Sequence, residues 1–138
     1  MSANAQEVEI KKDKVLLDGK EILRYEKENV FNQSFYSLVD DEEILHYRFS
    51  DNGTQQYLND DYFILNFLKE KVKIESSEVS RVTVIMSSRK SSEKLIKWLL
   101  KDKVMYPDGS INCEKLDNFF QKYNEDITKR TEVLIHRY

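Results

Sequence analysis

A chain of 138 residues is the size of one domain and buries about two-thirds of its unfolded surface on folding, so it needs no disulfide staples. Three glycines, one proline and a charged fraction of 34% exclude long linker-like stretches and describe a well-solvated globular surface. A net charge of −3 with acids and bases interspersed argues against a nucleic-acid surface, and no apolar run approaches the roughly 18–20 residues that cross a bilayer.

The chain opens MSANAQ. Ala3 and Ala5 fit the small-residue positions of a signal-peptidase site, with cleavage before Gln6. Residues 1–5 are therefore read as the remnant of a signal peptide and 6–138 as one domain, exported to a periplasm or secreted. The competing reading is a short polar terminus that frays.

The first half reads as antiparallel strands. Glu7–Lys11 alternates with period two, and Asp13 marks a turn. Asp18-Gly19 lies between Val15–Leu17 and Glu21–Leu23, a strong hairpin signal because both central residues take positive φ. Asp40-Asp41 marks another turn. Asn52-Gly53 repeats the hairpin device between Ile44–Phe49 and Gln55–Leu58, and Asn59-Asp60-Asp61 follows as a further turn. The pentapeptide EILRY at 21–25 is echoed by EILHY at 43–47, which places Leu23, Tyr25, Leu45 and Tyr47 on one strand face and Arg24 and His46 on the other.

The stretch YFILNFLKEKVKIE admits a helix capped by Asp60 or Asp61, but its aromatic and β-branched content favours a strand. RVTVIMSS is read as a further strand, with Val82, Val84 and Met86 alternating against Thr83 and Ile85. Strands thus occupy about 7–87 and helices about 92–127. Ser91 or Ser92 caps the first helix, whose apolar face is Leu95, Ile96, Leu99 and Leu100. Tyr106-Pro107-Asp108-Gly109 breaks it. Asn112 caps a second helix carrying Leu116, Phe119, Phe120, Tyr123 and Ile127, with Ile111 and Leu116 at the positions of a hydrophobic staple. TEVLIHRY either returns as a last strand or trails as a tail. The expected class is α+β: an antiparallel β-meander sheet followed by a C-terminal helical pair packed on it.

The A-x-A-Q start, the meander and the closing EKLIKWLLKDKVMYPDGSINCEKLDNFFQKYNEDIT resemble small exported proteins of unknown function from Bacteroidota. The resemblance implies location and fold class and carries no activity.

The helix–loop–helix at 93–125 is rejected as a calcium loop. Val104, Tyr106 and Lys115 would fall at loop positions 1, 3 and 12, where calcium needs oxygen ligands, and Asp108 alone fits. SSRKSSEK at 87–94 opens a helix, and a helix N-terminus presents free N–H groups to anions. Ser88, Arg89, Lys90, Ser91 and Ser92 are the candidate anion-binding residues, against the alternative of a solvated loop with a serine cap. Cys113, the sole cysteine, sits at the first position of the second helix and is expected to be a small buried hydrophobe. His46 and His136 have no zinc spacing, so neither a metal nor a cofactor is expected. The sixteen aromatics belong mostly to the core.

With a full fold grammar and no catalytic motif, the leading expectation is a non-enzymatic domain that binds a protein partner, self-associates or serves as a structural envelope component. The alternatives are a hydrolase whose carboxylates meet only in the fold, and a small anion- or ligand-binding protein.

Overall fold

A computed structural model describes residues 7–50, 61–84 and 87–127 of the chain. Seven antiparallel strands follow one another in chain order as a meander. They are β1 (Val8–Lys11), β2 (Lys14–Leu17), β3 (Lys20–Asn29), β4 (Asn32–Ser37), β5 (Glu43–Ser50), β6 (Tyr62–Phe67) and β7 (Val72–Ser76). Two helices come after them, α1 (Ser88–Lys101) and α2 (Cys113–Tyr123). The α+β class read from the sequence is the architecture observed.

Turn chemistry explains the meander. Asp18 (φ 50°) and Gly19 (φ 86°) take the two positive-φ positions between β2 and β3, as their dipeptide demands. Lys12, Asp41 and Lys71 adopt left-handed φ at the β1–β2, β4–β5 and β6–β7 turns. Asn52-Gly53, the strand expected at Gln55–Leu58, the opening hexapeptide and TEVLIHRY lie outside the described residues.

One face of the sheet is the core. Tyr25, Phe35, Leu45 and Phe67 form a row across four strands in register. Gln33, Tyr47, Leu65 and Ile74 form the next row, with Lys27 at its end. Except for Lys27, every residue of both rows is buried. From α1, Leu95, Ile96, Trp98, Leu99 and Leu100 close over this face, and α2 adds Leu116, Phe119 and Tyr123.

The pentapeptide echo has a structural cause. The β2–β3 register slips so that Val15 faces Leu23 while Leu16 faces Glu21. The β4–β5 register slips so that Phe35 faces Leu45 while Tyr36 faces Glu43. Ile22 and Ile44, at equivalent places in EILRY and EILHY, are thus unopposed bulge residues. A bulge breaks the period-two alternation, so Ile and Leu are buried in succession in both copies. Leu23, Tyr25, Leu45 and Tyr47 are buried as the echo predicts.

One expectation is refined and two are corrected. YFILNFLKEKVKIE is strand rather than helix, as expected, but it makes two strands, β6 and β7, joined by a turn at 68–71. RVTVIMSS does not supply a strand at 82–84: Val79–Arg81 is a single 3-10 turn, and the Val84 N–H donates to Ser91 Oγ at 2.9 Å. Beside β7, Asn124 and Glu125 already occupy part of the outer edge. The Glu75 N–H donates to Asn124 Oδ1 at 2.9 Å, and the Glu125 N–H donates to the Glu75 carbonyl at 2.8 Å. Finally, α1 starts one turn earlier than expected. Ser87, not Ser91 or Ser92, is its N-cap, accepting the Lys90 N–H at 3.1 Å. Asn112 caps α2 as its sequence requires, accepting the Lys115 N–H at 3.2 Å.

Candidate functional site

The start of α1 lands beside the end of β3 and the beginning of β4, and two clefts open on either side of it. The larger, about 810 Å³, is lined by Lys11, Lys12, Lys27, Arg89 and Lys90 together with Glu9, Asp13, Glu26 and Glu93. Charge is nearly balanced there, and several of the acids are already engaged. Glu93 accepts the Ile10 N–H at 2.7 Å, Glu9 pairs with Lys11 and Glu26 with Arg24.

The smaller cleft, about 330 Å³, is different in kind. Val30, Phe31, Tyr47, Phe49 and Val84 make its apolar wall, and its polar lining is Lys27, Gln33, Thr83, Ser87, Ser88 and Ser91. Among the described residues no carboxylate lines it. Phe31 and Phe49 stack at 6.5 Å between ring centroids, joined by the Phe49 N–H donating to the Phe31 carbonyl at 2.9 Å. Burial pushes the Tyr47 phenol well above its ordinary 10.0, so it stays neutral.

Gln33 is the unusual residue of this cleft. It is fully buried on the core face, in a row that is otherwise apolar apart from the phenol of Tyr47. Its Oε1 accepts hydroxyl hydrogens from Tyr25, at 3.1 Å, and from Ser92. Its Nε2 has no partner among the described residues, and neither does the buried hydroxyl of Thr83. A buried amide donor left unpaired costs roughly 1–3 kcal/mol. The first turn of α1 adds donors of its own. The Lys90 N–H is taken by the Ser87 side chain and the Ser91 N–H by the Ser87 carbonyl at 3.0 Å. The N–H groups of Ser88 and Arg89, at the first two helical positions, have no partner among the described residues.

The expected anion site is therefore revised. Ser88 lines both clefts, while Arg89 and Lys90 line only the larger and are exposed. Ser91 and Ser92 do not offer hydroxyls to a ligand. Ser91 Oγ accepts the Val84 N–H and donates to the Ser87 carbonyl at 2.9 Å, and Ser92 is buried against Gln33. Gln33 and Thr83 are the residues that sequence reasoning missed. Gln33 sits in NQSFYS, whose weak alternation gave no strand signal, and Thr83 in a segment read as a strand.

On the outer sheet face, Ser34, His46, Glu43 and Asn32 gather. Ser34 Oγ lies 3.1 Å from His46 Nδ1, Glu43 Oε2 lies 3.3 Å from the same nitrogen, and Asn32 Oδ1 lies 3.1 Å from Nε2. The bulge at Ile44 creates this group, because it shifts Glu43 onto the face of His46. It is not a nucleophilic triad. There, hydroxyl and carboxylate must bond opposite ring nitrogens so that one orients the base and the other gives up its proton; here both contact Nδ1.

The remaining candidates resolve simply. Cys113 is exposed, which overturns its expected burial: at the first position of α2 it points away from the core that Leu116 enters. Asp108 folds back on its own turn, accepting from the Ser110 N–H at 2.9 Å and its hydroxyl at 2.5 Å. The hydroxyl bond holds its carboxyl below the usual 3.8. Among the described residues no three His, Cys, Asp or Glu side chains are placed to share a metal, and no helix is long and apolar enough to cross a membrane. His136 lies outside the described residues. Among the described residues the exposed large apolar side chains are Val30–Phe31 and Leu38–Val39, at opposite ends of β4, and Tyr106. Compared with protein-family models, curated proteins and solved structures, the chain matches none of them.

Proposed function

We propose that this protein is a non-catalytic ligand-binding domain whose seat is the small cleft at the N-terminus of α1. One observation carries the reading: the Gln33 side chain is fully buried, spends its oxygen on two hydroxyls and leaves its amide N–H unpaired in that cleft. Buried polar groups without partners are rare and call for an occupant. The surroundings specify the sign. A helix N-terminus, a lysine and, among the described residues, an absence of lining carboxylates favour an anion. The apolar wall excludes competing water on one side, as in most small-molecule sites.

This reading replaces a protein partner as the leading function. A docking surface calls for a contiguous apolar patch, and among the described residues two of the exposed apolar groups, Val30–Phe31 and Leu38–Val39, are separated by the ~20 Å length of the six-residue β4, with Tyr106 the remaining one. A carboxylate-pair hydrolase needs an acid with a raised pKa. Asp40 and Asp108 are not such acids: both shift down, each through a hydrogen bond it accepts.

Titration with sodium acetate, followed by amide chemical shifts of the full chain, tests the proposal. Saturable shifts at the Ser88 and Arg89 backbone amides and the Gln33 side-chain amide are expected. Small unsaturated shifts spread over the surface would count against it.

A further inference from the structure

We infer that the ligand of this cleft is an amphipathic organic carboxylate: an anionic head on the three donors and a compact apolar tail against Phe31 and Phe49. The inference rests on the binding role proposed above and deepens it.

The head group follows from counting donors. Three hydrogen-bond donors belong to residues that line the cleft and have no partners among the described residues: Gln33 Nε2, the Thr83 hydroxyl and the N–H group of Ser88. An ionised carboxylate has two oxygens and about four acceptor sites, and it makes no demand for an acceptor in return. A neutral alcohol or amide ligand would leave at least one of these donors unpaired. Lys27 at the rim adds a compensating charge, and no lining carboxylate among the described residues opposes it.

The tail follows from the opposite wall. Val30 and Phe31 are 59% and 46% exposed, although an apolar pair beside an apolar-walled cleft is better covered. The stacked Phe31 and Phe49 rings continue inward to Tyr47. A volume of about 330 Å³ lies at the small end of ligand sites, which selects a short chain over a long one. An inorganic anion would satisfy the donors and leave this wall wet.

The experiment is calorimetric and NMR titration of the full chain with octanoate, octan-1-ol and acetate. Octanoate is expected to bind at least about tenfold more tightly than acetate, the effect of two fully buried methylenes. It is also expected to bind at least about tenfold more tightly than octan-1-ol, which lacks the charge-assisted hydrogen bonds. Two variants locate the contacts. Ser88→Pro removes one free N–H at a first-turn position that tolerates proline, and Ser87 before it is already extended at φ −146° and ψ 104°, as a residue preceding proline must be. It should weaken octanoate about tenfold and leave octan-1-ol unchanged. Phe31→Ala should weaken octanoate and leave acetate unchanged. If Ser88→Pro lowers helix content, Lys27→Met at the exposed rim takes its place, with the same expectation.

Octan-1-ol binding as tightly as octanoate would overturn the anionic head. Acetate binding as tightly as octanoate would overturn the tail while leaving the binding role intact. No saturable shift at Ser88, Arg89 or Gln33 with any of the three would overturn both.

Discussion

Two glycines separate what conformation costs from what space costs. Gly19 and Gly109 hold nearly the same left-handed backbone, at φ 86° and 88°. A Cβ on Gly19 meets nothing within 4 Å, whereas one on Gly109 would lie 2.5 Å from the Ile22 carbonyl and 3.0 Å from the Leu23 side chain. Gly19→Ala should therefore cost about 1 kcal/mol, the conformational term alone. Gly109→Ala should cost at least about 2–3 kcal/mol, because backbone must move as well. Denaturant melts of the two variants measure the difference, and equal losses would contradict the close approach. Tyr47 carries a prediction about pH. A phenol whose folded pKa lies above its unfolded value of 10.0 has no effect on stability below pH 10 and removes stability above it, because only the unfolded chain ionises there. Tyr47→Phe should make the alkaline loss shallower by up to about 1.4 kcal/mol per pH unit. Tyr25 and Tyr36, both also raised by burial, supply the part that remains. Identical wild-type and variant curves between pH 10 and 11 would place Tyr47 in solvent.

At the scale of elements, legibility followed local chemistry. Asp18-Gly19 and the Asn112 cap were readable because each works through its own backbone. The burial of Leu23, Tyr25, Leu45 and Tyr47 was readable from the alternation within the echo. The bulges were not, although the Ile-Leu pair that interrupts alternation in both copies is their trace. β4 was missed because Asn32, Gln33 and Ser34 are poor strand formers, held in place by β3 and β5 on either side. The segment at 82–84 has strand composition but no strand, because position along the chain does not reveal that the β7 edge is partly filled. Both outer edges are partly blocked by side chains from the helical layer. The Ile10 N–H of β1 donates to Glu93 of α1, and the Ser77 N–H beyond β7 donates to Glu125 at 3.0 Å. An open edge recruits other strands. Glu93→Ala should cost about 1–2 kcal/mol and increase concentration-dependent association in sedimentation. Unchanged sedimentation would show that β1 is protected by something other than Glu93.

Across the whole molecule, Trp98 is the joint between layers. Its ring meets Phe63 of the sheet edge-on at 6.2 Å, and Phe119 and Tyr123 of α2 at 4.7 and 5.0 Å. Arg81 lies 5.4 Å from its centroid, and its Nε1 donates to Asp102 at 3.1 Å. Truncating so large a buried ring costs about 3–5 kcal/mol, so Trp98→Ala should unfold at markedly lower denaturant. As the single tryptophan, Trp98 also reports on folding: its fluorescence and far-UV circular dichroism should give coincident urea transitions. Separated transitions would mean that sheet and helices fold apart. The same packing explains why only part of the binding cleft was legible. The helix start announced itself in SSRKSSEK, but its partner Gln33 lies more than fifty residues away. Only the sheet register, with Lys27 opposite Gln33 and Gln33 opposite Tyr47, brings the amide to the cleft.

A crystal structure of the full chain grown with octanoate tests the central claim most directly. It should show the carboxylate within about 3.2 Å of Gln33 Nε2 and of the Ser88 nitrogen, with the tail along Phe31 and Phe49. A cleft filled by the same ordered waters with and without octanoate, one of them bonded to Gln33 Nε2, would contradict it.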